Sequence, residues 1–222
     1  MHRLVLGLLI AVAMAGSAAA QSRVAIGAQA GTTGVGAEVQ FQASPILTLR
    51  AGGDWFSYDG DFESDRFQYD GNAEFTTVSA MADLHPFSNS FLVSAGAYFG
   101  ERTVSVQATS RNNETVGGVV LTPAQFGALI GDADFGSTAP FLGLGFDNTF
   151  RTSGPIGFKA VLGATFGQSP DVALRREGGI ALPPNVQAAF DAQLVQEEQA
   201  LEEDLEDFRI LPVAQVGVTF RF

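Results

Sequence analysis

Apolar and polar residues alternate along most of this chain. From Leu211 to Phe222, Pro212, Ala214, Val216, Val218, Phe220 and Phe222 share one face. Val213, Gln215, Gly217, Thr219 and Arg221 share the other. A period of two belongs to a β-strand with one apolar and one polar or small face. The same pattern recurs in 23–30, 35–42, 46–57, 75–84, 91–102, 141–150 and 156–167. Eight strands are therefore predicted. The connectors 43–45, 85–90 and 151–155 are short, and 58–74, 103–140 and 168–210 are long. The fourth connector on the long side, 31–34, is a tight turn.

If the long connectors share one side, both termini lie on the other. That is the layout of an all-β, eight-stranded antiparallel up-and-down transmembrane β-barrel with long extracellular loops. A soluble barrel alternates too, but with its apolar face inward. Here the polar face carries small and charged residues with too little bulk for a dry core. Phe41, Trp55, Phe91, Phe99, Phe150 and Phe222 near strand ends suit interfacial aromatic girdles. Eight spanning strands need about 80 residues, and sixteen would need about 160. The chain of 222 residues leaves no room for the second option beside such loops. An eight-stranded interior is only wide enough for side chains, so an open diffusion pore is not expected.

The first twenty residues read as an address. Met1-His2-Arg3 is basic, Leu4 to Ala15 is almost wholly apolar, and Ala18-Ala19-Ala20 offers a small-x-small cleavage pattern. A secretory signal peptide over 1–20 is expected, followed by one domain over 21–222.

Composition sharpens this. Hydrophobic residues are 46 %, yet charged residues are 16 % and mean hydropathy is only +0.17. The value averages the two faces of alternating strands. The formal net charge of −12 argues against nucleic acid as a partner. The absence of cysteine removes disulfides, thiolate zinc sites and thiol nucleophiles.

The predicted inward face carries both signs: Glu38, Asp54, Asp83 and Asp147 against Arg23, Arg50, Arg102, Lys159 and Arg221. Unpaired charges in a narrow interior are costly, so these residues should form a network. A turn centred at residue 44 places Glu38 opposite Arg50, and one centred at 153 places Asp147 opposite Lys159. Such a network either plugs the interior or gates a small solute.

The remaining acids sit in two long connectors. Segment 58–74 holds Asp59, Asp61, Glu63, Asp65 and Asp70. Counted from Asp59, the positions where a calcium loop needs Gly and Glu are Ser64 and Asp70, so a solvated acidic hairpin is expected and no metal. Asn113-Glu114-Thr115 matches a glycosylation sequon that has no use in a bacterial outer membrane. Segment 168–210 should contain a short acidic helix beginning near Pro183-Pro184. Phe190, Leu194, Leu201, Leu205 and Phe208 form its apolar stripe, and Glu197, Glu198, Glu202, Glu203 and Asp204 lie on its other faces. The stripe should pack on the barrel rim or other loops, and the acidic cap would concentrate cations at the mouth. The only histidine after the leader, His85, precedes Pro86 in a short turn with no hydroxyl–acid constellation beside it. No enzyme and no cofactor are expected.

Four short motifs carry a resemblance: Gly31-Thr32-Thr33-Gly34-Val35-Gly36, Ala43-Ser44-Pro45, Pro140-Phe141-Leu142-Gly143-Leu144-Gly145-Phe146, and Gly167-Gln168-Ser169-Pro170-Asp171-Val172. They resemble the CarO-type proteins, small Gram-negative outer-membrane barrels linked to carbapenem susceptibility and to uptake of ornithine and other basic amino acids. The resemblance implies an eight-stranded barrel closed by its loops. OmpW- and OmpX-like barrels share that architecture. Two functions stay open: a narrow selective channel for small cationic solutes such as basic amino acids, or a non-conducting structural or surface-interaction barrel acting through its loops. Either would be a monomer in contact with outer-membrane lipid.

Overall fold

The computed structural model describes residues 23–63, 67–116 and 119–222. The expected signal peptide over 1–20 lies outside them, as does Asp65. The strands are β1 (Val24–Gly31), β2 (Gly34–Ser44), β3 (Leu47–Glu63), β4 (Phe67–Leu84), β5 (Phe91–Ser110), β6 (Glu114–Val116), β7 (Val119–Leu121), β8 (Ala128–Asp134), β9 (Thr138–Asp147), β10 (Ile156–Phe166), β11 (Asp171–Glu177) and β12 (Ile210–Arg221). A single-turn helix α1 (Pro123–Phe126), a long helix α2 (Pro184–Asp204) and a 3-10 turn at Glu206–Arg209 complete the described elements.

Eight strands close into a ring in the order β1-β2-β3-β4-β5-β9-β10-β12, with β12 returning to pair with β1. Every neighbouring pair is antiparallel. These are the eight strands expected from the alternation. Closure leaves no free edge in the ring, which removes the unpaired backbone groups an open sheet would present. Among the described residues no helix is long and apolar enough to cross a membrane.

Three expectations need correction. First, 58–74 is not a connector beyond the strands: the acidic hairpin expected there is made by β3 and β4 themselves, which stay paired as far as Glu63 and Gln68. Second, 103–140 and 168–210 are not bare connectors around one helix. β5 continues to Ser110 and pairs there with β8, and β8 pairs with β11. The ring wall is thereby extended on one side into a sheet that stands above the rim. Third, Glu38 does not face Arg50. The β2–β3 turn is built on Pro45-Ile46, closed by the pair Ser44–Leu47, and a bulge follows between Gln42 and Ser44. Proline has no N–H to give a ladder and is at home in the turn. The shift puts Gln40 opposite Arg50 and Glu38 opposite Gly52. On the other side, Lys159 does lie opposite Asp147.

Glycine is required at the tight β1–β2 turn. Gly34 has φ +102°, and a Cβ there would come within 2.1 Å of the Trp55 carbonyl oxygen.

Helix α2 lies against β11. Its Phe190 is buried with Leu121 and Phe126, and Phe67, Leu129, Leu182, Val186 and Leu194 pack around them. Phe190 meets Phe126 edge-to-face, with centroids 6.2 Å apart. The expected stripe is buried only at its start: Leu201 and Leu205 are half-buried and Phe208 is exposed. The helix also covers the outer edge of the extension. Leu174 N–H donates to Glu198 at 2.7 Å and Val172 N–H to Glu202 at 3.2 Å. Two glutamates one helical turn apart thus meet two edge N–H groups two residues apart.

Candidate functional site

The ring is polar inside and apolar outside. Gln29, Glu38, Gln40, Arg50, Asp54, Asp83, Asp147 and Lys159 are all buried. Their outward neighbours are not: Trp55, Leu144, Phe158, Leu162 and Val216 are 54–68 % exposed. The two-residue period makes this sorting automatic, because each inward residue is flanked by outward ones.

The buried polar groups join into one network. Arg50 lies at its base: Nε donates to Asp83 Oδ2 at 2.9 Å, Nη2 to Asp83 Oδ1 at 3.3 Å and to Ser94 Oγ at 3.2 Å, and Nη1 to Glu38 Oε2 at 3.4 Å. Lys159 Nζ bonds the same Glu38 oxygen and also donates to Gln29 Oε1 at 2.8 Å. Gln29 Nε2 donates to Asp54 Oδ1 at 2.7 Å. Gln40 Nε2 is shared between Glu38 at 2.8 Å and Asp147 at 3.0 Å, and Thr149 N–H donates to Asp147 at 2.7 Å. Glu38 therefore holds both interior cations, and Asp54 and Asp147 reach them only through amides.

Six of the nine predicted inward charges come together here. Arg102 and Arg221 do not join them. Arg102 donates to the carbonyls of Phe135 and Gly136, and Arg221 to those of Thr152 and Gly154. Arg23 is exposed. The network thus sets four carboxylates (Glu38, Asp54, Asp83, Asp147) against two cations (Arg50, Lys159), while the buried Arg102 is bonded to carbonyls outside it. Gln29, Gln40, Ser94 and Thr149 were not singled out from sequence. Their positions followed from the alternation, but uncharged residues give no sign that they bridge charges.

The interior also holds an apolar cluster. Met81, Leu92, Tyr98, Phe141, Val161 and Val213, from β4, β5, β9, β10 and β12, form a buried cluster. Tyr98 and Phe141 meet edge-to-face at 5.7 Å. At the end bearing the long connections, Thr32, Thr33, Thr77, Tyr98, Arg102 and Phe135 help line a cavity of about 70 Å³. Small-molecule sites measure about 300–1,000 Å³, so this cavity is too small for one.

The predicted acidic cap is spread over two elements. On the β3–β4 hairpin, Asp59 accepts from Asn72 at 2.6 Å, Asp61 is exposed, and Glu63 pairs with Arg111 at 2.8 Å on the surface. On α2, Glu202 is used on β11, while Glu203 and Asp204 are exposed. Asp132 on β8 accepts from Ser105 at 2.6 Å and pairs with Arg175, which together hold its carboxyl below the usual range. Among the described residues no cluster of three or more His, Cys, Asp or Glu could hold a metal ion.

His85 is buried at the opposite end, with Nδ1 3.0 Å from the Phe91 carbonyl oxygen. Burial, aided by the Arg151 charge, holds its pKa below the ordinary value.

No protein-family model matches the chain, and no curated protein matches it by sequence. Solved structures do match. The crystal structure of Acinetobacter baumannii CarO2 aligns with a TM-score of 0.59 at 21 % identity, over 90 % of this chain and 98 % of that one. The crystal structure of Acinetobacter baumannii CarO aligns with a TM-score of 0.59 at 22 % identity over the same shares. The fold is the one those structures have.

Proposed function

We propose that this protein is an integral outer-membrane β-barrel of a Gram-negative bacterium, exported by a signal peptide over 1–20, with a sealed interior and its working surface on the loop side. One observation carries the membrane placement: the ring is inside out. Leu162 and Val216 in mid-strand are 68 % and 63 % exposed, while Lys159 and Gln215 beside them are buried. In water that arrangement would waste the apolar surface and bury charge for nothing; in lipid it satisfies both faces. The outward aromatics support it. Phe41, Phe91, Phe146, Phe158 and Phe220 lie toward the end with short turns, Trp55, Phe99 and Phe166 toward the other, and aliphatics fill the band between.

The charged network on one side and the Tyr98–Phe141 cluster on the other support the sealed interior. A barrel so filled acts as a monomeric, non-enzymatic scaffold for its extracellular parts, the β3–β4 hairpin and the β8–β11–α2 layer. A second reading, a narrow route for small cationic solutes such as basic amino acids, is favoured by the excess of interior carboxylates.

Outer-membrane fractionation and heat-modifiable migration on gels test the placement; a soluble protein that does not shift would overturn it. Lysine or ornithine flux into proteoliposomes, against a neutral amino acid, tests the sealed interior. We expect neither to enter, and selective entry of the basic one would establish the second reading instead.

A further inference from the structure

The interior charges do not balance, and the imbalance has a place. Glu38, Asp83 and Asp147 have both carboxylate oxygens engaged by donors from Arg50, Lys159, Gln40 or Thr149. Asp54 does not. Its Oδ1 accepts from Gln29, but Oδ2 is buried without a partner, although the residue is only 3 % exposed. The Gln29 amide oxygen takes Lys159, so that ammonium reaches Asp54 only through the amide. Asp54 is therefore a buried carboxylate with one bare oxygen and no cation against it.

The interior holds a second buried acceptor without a donor. Gln215 on β12 is 3 % exposed; its Nε2 donates to Thr33 Oγ1 at 2.7 Å, and its Oε1 has no partner. Between β3 and β12 lie β1 and β2. The residue of β2 opposite Asp54 is Gly36, and the residue of β1 opposite Gln215 is Gly31. A Cβ on Gly36 would stand 2.4 Å from Asp54 Oδ1. Glycine at 36 is what gives the carboxylate its room.

We infer that the barrel interior binds a monovalent inorganic cation at Asp54. A carboxylate oxygen is a hard donor, suited to sodium, potassium or ammonium. The absence of any three-acid cluster among the described residues argues against a divalent ion. Water could fill the hydrogen bonds but not the charge, and an uncompensated buried carboxylate is far costlier than an unpaired amide. The inference rests on the closed ring and holds whether or not basic amino acids cross it.

The test is thermal unfolding of the detergent-folded protein at fixed pH and ionic strength in sodium, potassium, ammonium or choline chloride. Choline screens the surface acids equally well but is too large to enter. A ligand that binds only the folded state raises its unfolding temperature. At least one small cation should raise the transition by about 2–4 °C over choline, the shift that roughly 1 kcal/mol makes in a chain of this size. Asp54→Asn should abolish that difference while still giving the heat-modifiable form. Equal transitions in all four salts would overturn the inference. So would a transition in choline that rises on mild acidification to the value in the small cations, because a proton would then be the occupant of Asp54.

Discussion

Lys159 faces Asp147 across the β9–β10 ladder, yet its ammonium crosses the interior to Glu38 on β2. Strand register decides which backbones are opposed. In a ring this narrow, a long side chain instead chooses the partner that best satisfies the whole network. Glu38 serves both Lys159 and Arg50, so it joins β2, β3 and β10 through one carboxylate. Substituting the two partners singly should have unequal effects. Lys159→Met leaves four buried carboxylates with one cation, whereas Glu38→Gln leaves three with two. Breaking a buried pair from one side costs about 3–5 kcal/mol. Lys159→Met should lie at the upper end of that range and Glu38→Gln below it. The double variant should cost less than the two added together. Urea unfolding of the four proteins in bilayers measures all three quantities; equal single costs that simply add would show that the two residues do not interact.

A different link, between packing and the β8–β11–α2 layer, is tested at Phe190. Its ring sits against Phe126, with the Arg176 guanidinium 6.0 Å from its centroid. Phe190→Ala should remove about 3–5 kcal/mol of local packing. The cost falls on how α2 holds β11 and α1, not on the ring, which closes without any of them. The expected result is faster proteolysis within 168–210, with unchanged heat-modifiable migration. A variant that fails to form the barrel at all would mean that this layer is needed for closure.

Much of this arrangement was legible in the sequence because a strand has a period of two and a barrel has only two faces. That rule alone placed Glu38, Arg50, Asp54, Asp83, Asp147 and Lys159 inside. It could not say how they pair, because pairing depends on single-residue register, and the bulge beside Pro45 moved Glu38 away from Arg50's row. The same alternation continues in β3 through Tyr58, Asp59, Gly60 and Asp61, but the polar residues there read as a loop. Beyond the ring a strand needs no apolar face, and pairing with β4 is enough. β8 and β11 were missed for that reason too. Glu198 and Glu202 read as solvated, since nothing in a sequence marks a glutamate that caps a strand edge.

The outward face makes the membrane placement testable at one residue. Leu162 is the most exposed large apolar side chain on β10, close to mid-strand. An arginine near the bilayer midplane of such a barrel costs about 2–4 kcal/mol. Leu162→Arg should therefore lower stability in bilayers by that amount. Thr165→Arg, inward on the same strand and near the rim, would instead test the interior. If Leu162→Arg folds in bilayers as well as the parent does, this face does not meet lipid.

His85 gives a prediction with a sign. It is buried at the short-turn end, between β4 and β5, and burial holds its pKa below the ordinary value of about 6.5. In the folded protein the neutral ring is thus retained to lower pH than in the unfolded chain. Above about pH 6.5 neither state is protonated, and His85 has no effect on the pH dependence. As pH falls through that value the unfolded chain takes up the proton first, so stability declines until the folded pKa is reached. His85→Asn, which carries no proton in this range, should remove that part of the decline. The comparison is urea unfolding of both proteins at pH 7.5 and pH 5.5. The parent should lose more stability than the variant between the two. Equal losses would mean that the folded ring accepts its proton as readily as the unfolded one, and that the bond between Nδ1 and the Phe91 carbonyl offsets the whole cost of burial.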